Sequence, residues 1–212
     1  MLSYKRKSRL LDLLIAVPAS MVLLPLIFVL AIGSAISFRA WPFFTQLRLG
    51  HHGAEFRFIK IRSLPATTPA AVDKYELKAL TNTRFGGFLR KFHLDELPQL
   101  WLVVWGTMSL VGPRPEMPCV AATFAPDFVA ARLTVKPGCT GLWQISTSSV
   151  GLIGDNPKYD LVLVDSESVR LDLWVIVRTP FHMLGAHPVR SLDDVPSWVR
   201  SDALTAAMVA AA

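Results

Sequence analysis

Asp95 and Glu96 stand side by side in "HLDELPQLWLVVWG", residues 93–106, at the lip of a run of Leu, Val and Trp. Two adjacent carboxylates can hold a hard cation such as Mg²⁺, which bridges protein oxygens to a diphosphate, and a carboxylate can attack phosphorus to give an acyl phosphate. The pair also has an ordinary use: Asp at a helix cap and Glu in the first turn satisfy free N–H groups and complement the macrodipole. Locally both readings stand, and they are compatible, because a helix N-terminus also attracts phosphate.

Cations surround the pair in sequence. Arg84, Arg90 and Lys91 precede it, and Arg114 is bracketed by Pro113 and Pro115 in "GPRPE". With Lys60 and Arg62 these side chains could clamp phosphate oxygens, Arg by a two-pronged fork and Lys as a point charge. His51 and His52, beside glycines, read as exposed turn residues, and His93 as structural. There is no P-loop, no GxSxG elbow and no interleaving of aromatic and basic residues of the kind that binds nucleic acid, so nucleic acid is not an expected partner. Cys119 and Cys139 lack CxxC spacing and histidine partners, which points to free thiols rather than a zinc site, with a disulfide between them left open because sequence does not give their separation.

Several elements must position these groups. Pro98 fits the first turn of a helix over "PQLWLVVW" that is apolar all round, deeply buried and ended by Gly106, with Asp95 and Glu96 at its N-terminus. Residues 43–64 alternate Phe and Ile around a Gly-containing turn, the pattern of a hairpin. Residues 65–82 read as a surface loop plus a short helix, and Pro137-Gly138 as a tight turn. Residues 159–184 have a helical pattern, broken by charge too often to cross a membrane and suited to lying on a bilayer surface or on the core.

Hydrophobic residues make up 52% of the 212 and charged residues only 18%, a deficit that membrane contact explains. From Leu13 to Phe38 runs a stretch of 26 residues without a charge, preceded by Lys5, Arg6, Lys7 and Arg9 and followed by Arg39. As a straight helix it would be about 39 Å long, enough to cross a hydrocarbon core of about 30 Å. Pro18 and Pro25 remove helix hydrogen bonds. A kink at Pro25 could send the chain back to the side it entered, and cations on both flanks suit that re-entrant path; a kinked spanning helix is the alternative. A formal charge of +6 suits anionic partners such as phosphate or acidic lipid.

These readings give an α+β fold, mostly helical with a small antiparallel sheet, an N-terminal re-entrant membrane helix and interfacial amphipathic helices. The expected division is a basic segment and membrane helix over 1–40, a catalytic domain over 41–185 and a C-terminal tail over 186–212.

The blocks "YKRKSRLLD", "PFFTQLRLGHHGAEFRFIKIRS", "FLRKFHLDELPQLW", "MSLVGPRPE", "VKPGCTGLWQ" and "YDLVLVDSESVRLDL" occur in this order between Tyr4 and Thr179. Together they resemble the bacterial sugar transferases, small monotopic phosphoglycosyl transferases. The resemblance implies transfer of a sugar 1-phosphate from a UDP-sugar to undecaprenyl phosphate at the cytoplasmic leaflet of the bacterial inner membrane, with release of UMP and with Mg²⁺ as cofactor. It matches Asp95 to the nucleophile and Glu96 to its partner, and either could ligate the metal. Lys60, Arg62, Arg90 and Arg114 fall on basic positions near the phosphates. Membrane lipid is an implied partner, and homo-oligomerisation stays open.

Departures from the family pattern are Leu102 for Asn, Thr107 for Asp, Gly86-Gly87 for a small-basic pair, "STSSV" where a Gly-Arg is common, and Leu24-Pro25 for Ser-Pro. They raise a second function: an impaired relative acting as a membrane scaffold in glycan assembly.

Overall fold

A computed structural model of the protein describes residues 4–69, 83–166, 168–186, 188–199 and Ala206. The expected short helix within 65–82 falls largely on residues outside these.

Helix α1 (Tyr4–Phe38) continues through Pro18 and Pro25. It is long and apolar enough to cross a membrane. Asp12, Ala16, Ile27, Leu30, Ala31 and Ser34 are buried and recur at helical spacing, so one stripe of α1 faces the rest of the protein. Met21, Val22, Leu24, Phe28, Val29, Ile32 and Ile36 are exposed.

Strands β1 (Phe43–Leu49) and β2 (Glu55–Ile61) form the expected antiparallel hairpin, in the register Phe43↔Ile61 to Leu49↔Glu55. Its turn needs left-handed backbone at His52 (φ 57°) and Gly53 (φ 77°). His52 is exposed as expected, whereas His51 is half-buried, its Nε2 lying 3.0 Å from the Thr134 carbonyl.

Helix α2 (Arg84–Lys91) is capped by the Thr83 hydroxyl, which accepts from the Gly86 N–H at 3.0 Å. His93 then takes up left-handed backbone (φ 53°), which stops the helix and turns the chain into a single 3₁₀ turn, Leu94–Glu96.

Helix α3 (Gln99–Trp105) follows, with Pro98 at its cap and Gly106 (φ 84°) ending it. Two expectations are corrected here. The helix is not buried all round, because only Gln99, Leu102 and Val103 are buried and Trp105 is 70% exposed. Nor do the acids cap it: no side chain caps the 3₁₀ turn or α3. Having broken at His93, the chain turns Asp95 inward.

Strand β3 (Ser109–Val111) comes next, then the short helices α4 (Pro118–Ala121) and α5 (Pro126–Arg132), and strand β4 (Gly138–Thr140). β4 pairs with β3 in parallel, a second sheet that local alternation could not reveal. A Cβ on Gly112 or Gly138 would strike the other residue's backbone, so this close crossing requires glycine.

The helical stretch expected over 159–184 is two helices, α6 (Lys158–Ser166) and α7 (Val169–Met183), because Ser168 is extended (φ −129°, ψ 123°). Both pack on the core through Tyr159, Val162, Leu163, Leu171, Trp174 and Val175. Residues beyond 186, expected to form a tail, contribute Val189, Leu192, Val195 and Val199 to the same cluster. Burying each such aliphatic side chain stabilises the fold by about 1.5–3 kcal/mol.

Polar contacts bind α1 to the body from end to end. Tyr4 donates to Asp172 at 3.0 Å, and Arg9 to the Val103 and Val104 carbonyls at the end of α3. Asp12 accepts from the Ser109 hydroxyl at 3.0 Å and the Leu110 N–H at 2.8 Å. Near its other end Ser34 donates to the Arg62 carbonyl at 2.7 Å.

Candidate active site

A cavity of about 400 Å³ is lined by Phe44, Gln46, Arg48, Lys60, Arg62, Ser63, His93, Glu96, Arg114 and Glu116, together with Cys139, Thr140, Trp143, Gln144, residues 149 and 151–153, and Thr179, His182 and Met183, among others. Its size suits a ligand of tens of heavy atoms. Side chains two apart on a strand share a face, which is how the hairpin presents Phe44, Gln46, Arg48 and Lys60 to one space.

Glu96 lines the charged part of this cavity, and Asp95 is buried next to it. Asp95 is 4% exposed, and its Oδ2 accepts from the Ser63 hydroxyl at 3.0 Å. Glu96 Oε1 accepts from Arg114 Nη2 at 2.9 Å. Arg114 is in turn fixed through its carbonyl, which accepts from Arg132 Nη2. Arg132 forms a buried ion pair with Asp160 at 2.8 Å and lies over the rings of Phe124 and Phe128. Arg48 pairs with Glu116 at 3.4 Å and donates to the Pro115 carbonyl at 2.9 Å. Lys60 Nζ lies 5.4 Å from the Phe44 ring centroid.

Environment divides the two acids. Burial raises the Asp95 carboxyl above its ordinary value and the Glu96 charge adds to this; Lys60, Ser63 and His93 offset it only in part. Burial also opposes the charge on Glu96, but Arg114 outweighs it by charge and hydrogen bond, with help from Lys60, and holds Glu96 at about 2. Asp95 is thereby the more basic carboxylate and Glu96 the fixed anion, the split that assigns two acids two roles. Burial lowers the Lys60 ammonium while Asp95 and Glu96 pull it back up.

Of the residues singled out in the sequence, Glu96, Lys60, Arg62 and Arg114 line the cavity, and Asp95 lies buried behind the lining Ser63. Arg62 contributes to the lining while its Nε donates to the Trp41 carbonyl at 2.8 Å. Arg90 does not line the cavity, and among the described residues neither acid forms an ion pair with it. Arg84 and Lys91 are exposed on α2. His93, read as structural, is a wall residue whose left-handed backbone also sets the turn.

Sequence reasoning missed Ser63, Arg48, Gln144 and the Arg132–Asp160 pair. For Arg48 the signal was available, since it shares strand parity with Phe44 and Gln46. Both cysteines are free thiols, and burial pushes the Cys139 thiol up.

A large cavity lined by cations and Glu96, with Asp95 buried at its wall and a long apolar helix in the same chain, defines an anion-handling site on a membrane-associated protein. The chain belongs to the bacterial sugar transferase family, whose model matches residues 3–186. It is 36% identical over 82% of its length to a UDP-glucose:undecaprenyl-phosphate glucose-1-phosphate transferase of Xanthomonas campestris pv. campestris, and 34% identical over 65% to a UDP-galactose-lipid carrier transferase of Erwinia amylovora. It spans 38% and 32% of those two proteins. Exopolysaccharide production protein ExoY of Sinorhizobium fredii is 33% identical over 79% of the chain, which spans 81% of that relative.

Proposed function

We propose that the protein transfers a sugar 1-phosphate from a UDP-sugar to undecaprenyl phosphate by way of a phosphosugar carried on Asp95, and so begins a polysaccharide or glycoconjugate. The observation that carries this reading is the convergence of Glu96, Lys60, Arg62 and Arg114 on one cavity, with Asp95 buried behind its wall and hydrogen-bonded to the lining Ser63. An anionic nucleophile must approach an anionic diphosphate, and these cations reduce the repulsion.

Asp95 attacks the β-phosphorus, the bond to the UMP oxygen breaks, and UMP leaves. The phosphate of the lipid then attacks the phosphosugar and frees the Asp95 carboxylate. Elevated basicity suits Asp95 to the first step. Glu96, already engaged by Arg114, keeps that cation oriented toward the phosphates.

The donor set fits Mg²⁺: Asp95 and Glu96 offer hard oxygens, and no cluster of three His, Cys, Asp or Glu exists among the described residues, so substrate oxygens would complete the shell. Bound there, the ion would neutralise charge developing on the diphosphate.

Two family departures leave the charged lining intact. Leu102 is buried with Val103 and Met108, and Thr107 does not line the cavity.

The membrane part of the proposal is a re-entrant α1. Contacts to one body from Tyr4 and Asp12 at one end and Ser34 at the other support it, as does the exposed apolar middle around Met21 to Pro25. Lys5, Arg6 and Lys7 support a body on the cytoplasmic face of the inner membrane, by the positive-inside rule. The exposed Leu173, Val177 and Phe181 of α7 recur every four residues, a stripe suited to lying at the bilayer interface.

The test is UMP release by the purified protein with Mg²⁺ and a panel of UDP-sugars, with and without undecaprenyl phosphate. Release from at least one donor is expected. Its absence from all would overturn the transferase reading in favour of an impaired scaffold.

A further inference from the structure

Among the cavity walls, one is uncharged. It consists of Trp143, Gln144, Ile145, Ser149 and Ile153, and His182 of α7 lines the same cavity. Gln144 donates to the Gly112 carbonyl at a long 3.4 Å, and its buried Oε1 has no partner among the described residues. His182 Nδ1 is buried and unpartnered in the same sense. Buried polar atoms of this kind are costly unless a ligand or water satisfies them, and such neutral groups match hydroxyls or an imide rather than phosphate.

This wall is held from behind by the segment 188–199. The Val189 N–H donates to the Ile145 carbonyl at 3.0 Å, and the Thr147 N–H donates to the Val189 carbonyl at 2.9 Å. These two bonds bracket Ser146, directly after Gln144 and Ile145. Val189, Leu192 and Val195 share a core cluster with Trp143, Ile145 and Ile153, whose other sides face the cavity. The segment is braced in turn: Asp194 Oδ2 accepts from the Arg190 N–H at 2.7 Å and the Ser191 N–H at 3.3 Å, and the Ser191 hydroxyl accepts from the Asp193 N–H at 3.2 Å. All of it lies beyond residue 186, where the family match ends.

We propose that residues 188–199 form a strap that positions the Trp143–Ile153 wall to read the neutral part of the nucleotide-sugar donor, so that the strap governs donor affinity and choice while leaving the phosphate chemistry unchanged. The inference rests on the transferase reading given above. Val189 is a positioning residue, and Gln144 is the wall side chain placed to contact the donor.

The experiment uses the full chain in detergent or nanodiscs. Ser191→Ala with Asp194→Ala removes the brace without altering a cavity or core side chain. The expected result is a donor KM raised about fivefold and a changed ratio of kcat/KM between UDP-glucose and UDP-galactose. The lipid KM and kcat should stay within about twofold. Ser191 retained with Asp194→Glu, which restores a carboxylate able to reach back to the cap N–H groups, should recover the wild-type donor KM. Unchanged donor kinetics would overturn the proposal. So would a fall in kcat with the donor KM unmoved, the pattern of a merely destabilised enzyme. Wild-type protein inert toward every UDP-sugar would instead overturn the transferase reading on which it rests.

Discussion

The two sides of the cavity are built by different means. The charged side is assembled from short motifs: Lys60 on a hairpin strand, the Asp95-Glu96 pair on one 3₁₀ turn, and Arg114 between prolines, each charge paired or packed nearby. The uncharged side shares only Trp143 and Gln144 with a short motif, the end of "VKPGCTGLWQ". It is a loop of 3₁₀ turns and bends held by a strap that returns from residues 188–199, and its polar atoms Gln144 Oε1 and His182 Nδ1 have no partner among the described residues. A site can therefore carry its chemistry in local sequence and its selectivity in contacts that local sequence does not display. Substitutions on the two sides should separate accordingly, with the charged side setting rate and the uncharged side setting donor KM.

The largest effect expected is on rate. Asp95→Asn removes the nucleophile while keeping the size and the Ser63 contact, and turnover should fall by about three orders of magnitude or more in a UMP-release assay, with folding retained.

Arg114→Ala should come next, lowering kcat by about a hundredfold and also weakening the fold, because Glu96 is left with a part-buried charge that has lost its cation. The stability component has a defined sign. Glu96 is held at about 2, below its ordinary 4.5, so its pairing stabilises the native state above pH 4.5 and this is lost as pH falls toward 2. Thermal melting from pH 7 to pH 2 should show this acid-dependent loss in the wild type and a smaller one in Arg114→Ala.

A subtler change is expected in the pH–rate profile. Asp95 is raised by burial and by the Glu96 charge, so activity should decline as pH falls through an elevated carboxyl pKa, since the protonated acid cannot attack. Glu96→Gln removes the neighbouring negative charge and should move that acid limb to lower pH. A limb that stays in place or moves up would mean that Asp95 does not control it.

On the uncharged side Gln144→Leu should raise the donor KM several-fold with kcat almost unchanged, about 1 kcal/mol of lost polar contact. The smallest effect should be that of Thr107→Asp, less than about twofold on any parameter, because Thr107 does not reach the cavity.

Legibility in the sequence follows the same divide. The hairpin, the long apolar helix and the acid pair could be read, because periodicity of two, an unbroken apolar run and adjacent charges are local signals. That Asp95 and Glu96 would cap a helix was the natural expectation, and it failed because His93 takes left-handed backbone and redirects the turn toward Ser63 and Arg114. The parallel pairing of β3 with β4, the seat of Asp12 on Ser109 and the contact of Tyr4 with Asp172 join residues far apart in the chain and have no local pattern. The strap was illegible for the same reason: Val189, Leu192, Val195 and Val199 look like scattered aliphatics until the loop they cover is in view.

The central claim is that Asp95 carries the phosphosugar between two half-reactions. Incubating wild-type protein with Mg²⁺ and its UDP-sugar, without lipid acceptor, and mapping the product by peptide mass spectrometry tests it most directly. The account predicts stoichiometric UMP release and a sugar-phosphate adduct on the peptide containing Asp95, discharged when undecaprenyl phosphate is added and absent in Asp95→Asn. UMP release that occurs only when the lipid is present, with no adduct on that peptide, would contradict it.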